Sequence, residues 1–175
     1  MGRKPNTPVL HHSIHPMPFP MRHPSLVPLS HDHHHGLALA LRCRKQALGQ
    51  LKPMGSAGLR ERAKEFLDFY RANLAAHFRA EEELLFPLMR SAAPGCDGMI
   101  DELVENHEEI RQAISRLEAR TGLAKAIFDL GDMLERHIRK EERELFPLFE
   151  ARVEAVKAET IGQEIKQILE SKSAL

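Results

Sequence analysis

From about residue 30 onward, apolar side chains recur every three or four positions, with no alternating strand-like run between turn residues. This spacing places side chains on one face of an α-helix. It predicts four amphipathic helices and a further C-terminal helix, over about 30–52, 58–90, 97–120, 123–152 and 154–171. Because short connections favour antiparallel neighbours, we expect an all-α fold, an up-down-up-down antiparallel four-helix bundle.

Local signals mark the expected helix ends. Ser30 is a good N-cap for the first helix, and Pro53 would stop it. Its apolar face is predicted to consist of leucines, namely Leu37, Leu41, Leu48 and Leu51. Pro87 is expected to bend the last turn of the second helix, because proline lacks an N–H donor.

The first 29 residues differ from the rest of the chain. They carry seven of the 11 prolines, and such a segment cannot sustain a helix or supply a central strand. We therefore expect a Pro/His-rich N-terminal arm over 1–29, extended or disordered, the bundle over 30–152, and a helical tail over 153–175.

Composition excludes several function classes. Lys plus Arg and Asp plus Glu both total 25, so no net charge would attract nucleic acid or anionic lipid. The two cysteines stand apart from any metal or disulfide motif, and no apolar run is long enough to span a membrane. We expect a soluble, cytoplasmic protein without a nucleic-acid or membrane partner.

Histidine is the unusual feature, together with an internal repeat. Of 11 histidines, eight fall in the first 35 residues, and the other three, His77, His107 and His137, are 30 apart. Residues 77–88 read HFRAEEELLFPL and residues 137–148 read HIRKEERELFPL. Each copy begins with a histidine that is followed four positions later by glutamate, so both side chains lie on one helical face.

These His/Glu pairs fall on the apolar face of their helices. His77 follows Leu74 by three residues, and Glu81 precedes Leu85 by four. The same spacing surrounds His137 and Glu141. An ionised glutamate is almost never buried unless a cation or a donor compensates its charge. Two such burials therefore indicate a shared metal site.

The other two helices offer further histidines. His107 lies four residues after Leu103 and faces inward, although a lone histidine so placed is more often a hydrogen-bonded core residue. In the first helix His33 repeats the Leu-x-x-x-His spacing after Leu29, whereas His34 lies three residues before Leu37. His33 is favoured, with His34 as the alternative.

These motifs together resemble the hemerythrin-like (HHE cation-binding) domain family, over residues 29–150. They are a first-helix histidine, His-Phe-x-x-Glu-Glu, Asn106-His107-Glu108 and His-Ile-x-x-Glu-Glu, in that order. The resemblance implies two iron ions in an oxo-bridged di-iron centre, another divalent metal being the alternative. It implies histidine ligands and bridging glutamates, namely His33 or His34, His77, His107, His137, Glu81 and Glu141. Hemerythrins proper place the last carboxylate five residues after its histidine, at Glu142 here, so Glu141 and Glu142 both stay open.

One departure from the family pattern bears on function. Oxygen-carrying hemerythrins have a second histidine four residues after the first in the third helix, and this chain has Arg111 there. Fewer ligands leave more open metal positions. We therefore expect a non-haem di-iron protein that binds, senses or reacts with oxygen, nitric oxide or peroxide, or senses iron or redox state. The alternatives are a di-iron oxidase or peroxidase, an iron-donating repair protein, and a metal-stabilised interaction module.

Overall fold

The computed structural model describes residues 22–118 and 122–171. These residues are almost entirely helical and contain no strand, which confirms the all-α prediction. The predicted arm over 1–21 and the predicted end of the third helix at Arg120 lie outside the described residues. Within the described part, no helix combines the length and apolarity needed to cross a membrane. The up-and-down order of the helices stays a prediction.

In the described part of the chain, five helices follow a short 3₁₀ turn at Pro24–Leu26. Their bounds are α1 Val27–Ala47, α2 55–92, α3 Asp97–Glu118, α4 123–152 and α5 Ala155–Glu170. The expected C-terminal helix is thus present as α5. It packs against the 3₁₀ turn, where the Ser25 hydroxyl donates to the carbonyl of Ala158, and its apolar residues join the protein core.

The first helix begins earlier than its sequence suggested. It starts at Val27 rather than at Ser30, with Pro28 in the first turn, where the missing N–H costs nothing. Residues 24–29 are therefore helical and not part of an extended arm. Ser30 lies inside the helix, and its hydroxyl donates to Glu142 on α4 instead of capping the helix. The helix ends at Ala47 rather than Lys52.

The predicted apolar face of α1 is wrong in part. Leu41 and Leu48 are 45% and 61% exposed. The buried face includes small residues instead, because α1 and α4 approach each other closely. A Cβ on Gly36 would lie 2.8 Å from the Ile138 side chain, and one on Gly131 would lie 2.8 Å from the Ala40 carbonyl oxygen.

Wide π-helical turns interrupt α2 and α4 at the same point of the repeat. They span Glu81–Leu85 and Glu141–Leu145, and a third π turn lies at Tyr70–Leu74. In the two equivalent turns the N–H that follows the turn, of Phe86 or Phe146, donates to the carbonyl five residues earlier. Pro87 and Pro147 come next. A widened turn suits them, because proline cannot donate and its ring crowds the carbonyl four residues before it.

The core forms two apolar clusters with a polar layer between them. The first cluster contains Leu29, Leu85, Leu103 and Leu145, together with the buried face of α5. The second contains Leu39, Leu74, Ile110 and Leu134. On each of the first four helices the histidine noted in the sequence lies between a residue of one cluster and a residue of the other. The fold therefore gathers these histidines at one level of the molecule.

Candidate metal centre

Six of the seven candidate residues meet in this polar layer. Helices α1 and α3 contribute one histidine each, and α2 and α4 contribute a histidine and a glutamate each. All six are at most 2% exposed, namely His33, His77, Glu81, His107, His137 and Glu141. His34 is exposed on the outer side of α1. The structure thus places His33, and not the alternative His34, in the cluster.

The cluster divides into two overlapping groups of possible ligands. One group contains His33 and His77, the other contains His107 and His137, and both include Glu81 and Glu141. Within each group the nitrogen and oxygen atoms all lie within 4.8 Å of one another. Each pair of histidines thus shares the same two glutamates. Ligands that bridge two metal ions would have this arrangement.

Three of the four imidazoles are oriented by carboxylates outside the cluster. The distance from Nδ1 to the carboxylate is 2.8 Å between His33 and Glu142, and 2.6 Å between His107 and Glu82. It is 3.3 Å between His77 and Asp32. Since an ionised carboxylate only accepts hydrogen bonds, Nδ1 is the donor in each case. In a neutral ring, Nε2 then carries a bare lone pair that points into the cluster.

The inner face of the cluster consists of acceptors. Nε2 of His33 lies 3.1 Å from Nε2 of His77, and His107 and His137 face each other at the same distance. Both oxygens of Glu81 and of Glu141 are buried and receive no well-directed hydrogen bond from the described residues, although histidine Nε2 atoms lie 3.0–3.4 Å from them. When the imidazoles are neutral, their lone pairs and the two carboxylates face one another without donors and repel, so this ligand set fits cations held between them.

The charges of the metal-free cluster are strongly perturbed. Burial opposes the charged form of His77, but the Glu81 carboxylate and the Asp32 hydrogen bond outweigh it and raise the pKa to about 10. Burial raises the pKa of Glu141 to about 7, with the charge of Glu81 adding to the effect. For His137, burial and the neighbouring His107 hold the pKa well below its usual value. Without metal, protons must partly neutralise the site.

A layer of aromatic rings and arginines covers His33 and His107, which we call the outer histidines. Phe146 stacks on His33 with ring centroids 5.3 Å apart, and the Arg22 guanidinium lies 5.0 Å above the Phe146 ring. Arg22 also pairs with Glu142. The arrangement stiffens the ring and links it to the surface.

The same arrangement recurs on the other side of the cluster. Phe78 stacks on His107 with a centroid distance of 3.8 Å, and Arg111 lies 5.7 Å above Phe78. Arg111 binds Glu82 with Nη2 at 2.8 and 3.0 Å from its two oxygens. Sequence reasoning did not find these partners. The only signal for them is the second glutamate of each Glu-Glu pair.

The structure distinguishes the two glutamates of α4. Glu141 points into the cluster, with one oxygen 3.1 Å from Nε2 of His33. Glu142 lies outside it, where it accepts from Nδ1 of His33 and from the Ser30 hydroxyl. The residues in contact with the cluster are therefore Glu81 and Glu141, at matching positions of the repeat.

Comparison with known proteins agrees with this geometry. The family model described as the hemerythrin HHE cation binding domain matches residues 26–159. A DNA nickase from Nostoc sp. (strain PCC 7120 / SAG 25.82 / UTEX 2576) is 27% identical over 110 residues, which cover 61% of this chain and 31% of that protein. The match thus spans about a third of the length of that curated relative. No solved structure matches the chain.

Proposed function

This chain belongs to the hemerythrin HHE cation-binding family, and from that premise we propose that it is a non-haem di-iron protein. In this proposal it binds, senses or reacts with oxygen, nitric oxide or peroxide, or senses iron or redox state. The observation that carries the proposal is a pair of buried glutamates, Glu81 and Glu141, that two pairs of histidines share and that receive no well-directed hydrogen bond from the described residues.

The ligand set would hold two metal ions. His33 and His77 would bind one, His107 and His137 the other, and the two glutamates both. Mixed imidazole and carboxylate ligands suit iron, and they also suit zinc and manganese. Iron bound there would supply electrons and open coordination positions for a small ligand. The protein's own residues orient the imidazoles, exclude water and keep the cluster buried.

Arg111 supports a role in sensing or reaction rather than in oxygen carriage. Its guanidinium binds Glu82 and Glu108 on the outer side of α3 and offers no ligand. Four imidazoles and two shared carboxylates fill about eight of the roughly twelve positions around two octahedral ions. The open positions suit a small ligand, since the six residues are at most 2% exposed.

The nickase activity named for the Nostoc relative is not part of this proposal. The match covers 31% of that protein, and the formal net charge of this chain is zero. Such a charge gives no overall attraction for DNA phosphates. We propose only metal binding for the part that the two chains have in common.

Anaerobic loading with ferrous iron tests the proposal. We expect two irons per chain after gel filtration, and near-ultraviolet charge-transfer absorption after exposure to air. His33→Ala should lower the iron content, whereas the matched exposed variant His34→Ala should leave it unchanged. Zinc binding without iron binding, or no stoichiometric metal, would contradict the proposal and favour a structural module.

A second measurement separates binding from catalysis. Peroxide added to the iron-loaded protein should shift the absorption bands once and reversibly if the protein is a binder or a sensor. Continuous consumption of peroxide at a rate proportional to protein concentration would instead support the alternative of a di-iron peroxidase. A stable oxygenated spectrum that survives many cycles of deoxygenation would indicate a carrier.

A further inference from the structure

We infer that the two metal positions are inequivalent, and that the position between His33 and His77 has a higher pH-independent affinity for its metal than the position between His107 and His137. The inference rests on the proposed function, because it assumes that both positions hold metal. It assigns the difference to Asp32, which contacts His77 and has no counterpart against His137 among the described residues.

The two halves of the cluster are otherwise closely matched. His33 on α1 and His107 on α3 face His77 and His137, with 3.1 Å between the Nε2 atoms in both pairs. Each outer histidine also donates Nδ1–H to the second glutamate of a repeat copy. Each of these glutamates is bound by an arginine, Arg22 or Arg111. The contacts of the outer histidines therefore do not distinguish the halves.

The other two histidines, His77 and His137, differ in their contacts. Nδ1 of His77 lies 3.3 Å from Oδ2 of Asp32, and the other oxygen of Asp32 accepts from Asn73. Nδ1 of His137 is buried and has no hydrogen-bond partner among the described residues. Asp32 directly precedes His33, and the residue that directly precedes His107 is Asn106. At the corresponding sequence position the carboxylate is thus replaced by a neutral amide.

An outer carboxylate strengthens a histidine ligand in two ways. It fixes the tautomer and the ring orientation, and it makes the metal-facing nitrogen more basic. Loss of such a partner typically weakens metal affinity by about 10- to 100-fold. His77 has this support and His137 lacks it. The same factor is therefore the expected difference between the two dissociation constants.

Metal titration of the full chain tests the inference. Co²⁺ is the probe, added anaerobically in competition with a chromophoric chelator, with visible absorption as a second readout. Titrations over a range of pH should give two binding steps whose pH-independent dissociation constants are about 10- to 100-fold apart. His77→Ala should abolish the tighter step and His137→Ala should preserve it. The reverse assignment would overturn the inference.

Asp32→Asn isolates the carboxylate. We expect it to weaken the tighter step by about 10-fold or more and to leave the weaker step nearly unchanged, so that the gap between the two dissociation constants closes. Asp68→Asn, which removes the same charge at an exposed position on α2, should leave the gap intact. Helical circular dichroism and the Tm of the metal-free proteins verify folding. A merely structural role of Asp32 would weaken both steps alike, and that result would overturn the inference.

The outcomes also separate the two proposals. Two equivalents of metal with equal constants in the wild type would leave the proposed function standing and overturn the inequivalence. Fewer than two equivalents at saturation would overturn the proposed function and the inference with it.

Discussion

The two copies of the repeat, 77–88 and 137–148, place the same side chains at the same level but in different electrostatic environments. In the α2 copy, the Glu81 carboxylate and the Asp32 hydrogen bond outweigh burial and raise the pKa of His77 to about 10. The charges of neighbouring histidines outweigh burial at Glu81 and hold its pKa well below the usual value. In the α4 copy, the pKa of His137 is lowered and that of Glu141 is raised to about 7.

The difference between the pKa shifts of the two copies originates in α1 and α3, the helices that do not carry the repeat. The repeat itself fixes geometry: histidine and glutamate one turn apart, followed by a π turn and a proline. Helices α1 and α3 decide which copy has a hydrogen-bonded imidazole, because Asp32 reaches His77 and no described residue accepts from Nδ1 of His137. Similar motifs can thus hold ions of unequal affinity when their neighbours differ.

The largest effect is expected from the shared glutamates, where the two copies should behave alike. Glu81→Ala and Glu141→Ala should each weaken binding of both metals by more than about 100-fold, since each would serve both positions. The metal-dependent rise in Tm should disappear. Metal content and thermal unfolding measure this.

The matched controls are glutamates of the same segments that point to solvent. Glu83→Ala and Glu144→Ala, both exposed, should leave metal content and Tm nearly unchanged. Equal losses at all four positions would show that overall negative charge, rather than a buried site, retains the metal.

The pH dependence of metal binding should reflect the raised pKa of His77 in the α2 copy. The raised pKa of His77 means that the metal-free protein keeps this proton up to about pH 10, and metal must displace it. Metal uptake should therefore release protons, and apparent affinity should rise by about tenfold per pH unit for each proton displaced.

The raised pKa of His77 also affects the stability of the metal-free protein. The stability that His77 contributes is fully present below its unfolded pKa of 6.5 and is lost as pH rises through about 10. Calorimetric titration in buffers of different ionisation enthalpy counts the released protons. Metal binding without proton release at pH 7 would contradict the protonation assigned here.

Six residues before its copy of the repeat, helix α4 is held tightly against α1, and Gly131 permits this close contact. A Cβ there would lie 2.8 Å from the Ala40 carbonyl oxygen, so Gly131→Ala should lower the free energy of unfolding by about 1–3 kcal/mol. The position 60 residues earlier in α2 is Arg71. The glycine that permits the close contact is therefore not repeated at the matching position of α2.

Gly98→Ala serves as the control for this substitution. Gly98 lies in α3, and a Cβ there meets nothing within 4 Å. Alanine should stabilise the helix by about 0.5–1 kcal/mol. Chemical denaturation of both variants without metal measures the contrast, and a neutral Gly131→Ala would mean that α1 can move away from α4 without cost.

The smallest effect is expected at the two arginines that cover the cluster. Arg22→Ala and Arg111→Ala each remove a half-exposed ion pair, so the unfolding free energy should fall by about 1 kcal/mol or less. Both metals should still bind. Loss of one metal on removal of a single arginine would show that the outer ion pair, rather than the histidine itself, controls that half.

Much of the cluster could be predicted from the sequence, because it depends on helical spacing. His77, Glu81, His137 and Glu141 follow from the repeat and its leucines, and His33 from the Leu-x-x-x-His spacing that it shares with His107. All these side chains lie where the spacing placed them. Their metal binding stays a proposal.

The face of α1 could not be predicted from hydrophobicity, because its contact with α4 selects small residues over large ones. Leu41 appeared apolar enough to be buried, whereas Gly36 gave no hydrophobic signal, yet Gly36 is buried and Leu41 is 45% exposed. Similarly, Glu141 and Glu142 are identical in type. Only their position relative to α1 separates the residue facing the cluster from the residue that orients His33.

The division of the core into two apolar clusters has a consequence for how the metal-free protein opens. Without metal, the polar layer between the two clusters should be the weakest level of the bundle, in contrast to the usual fraying from helix ends. Amide hydrogens near His77 and His137 should exchange with solvent faster than those near Leu103 or Leu130, and metal should reverse that order. Ions bound at that level would then join two half-cores into one cooperative unit.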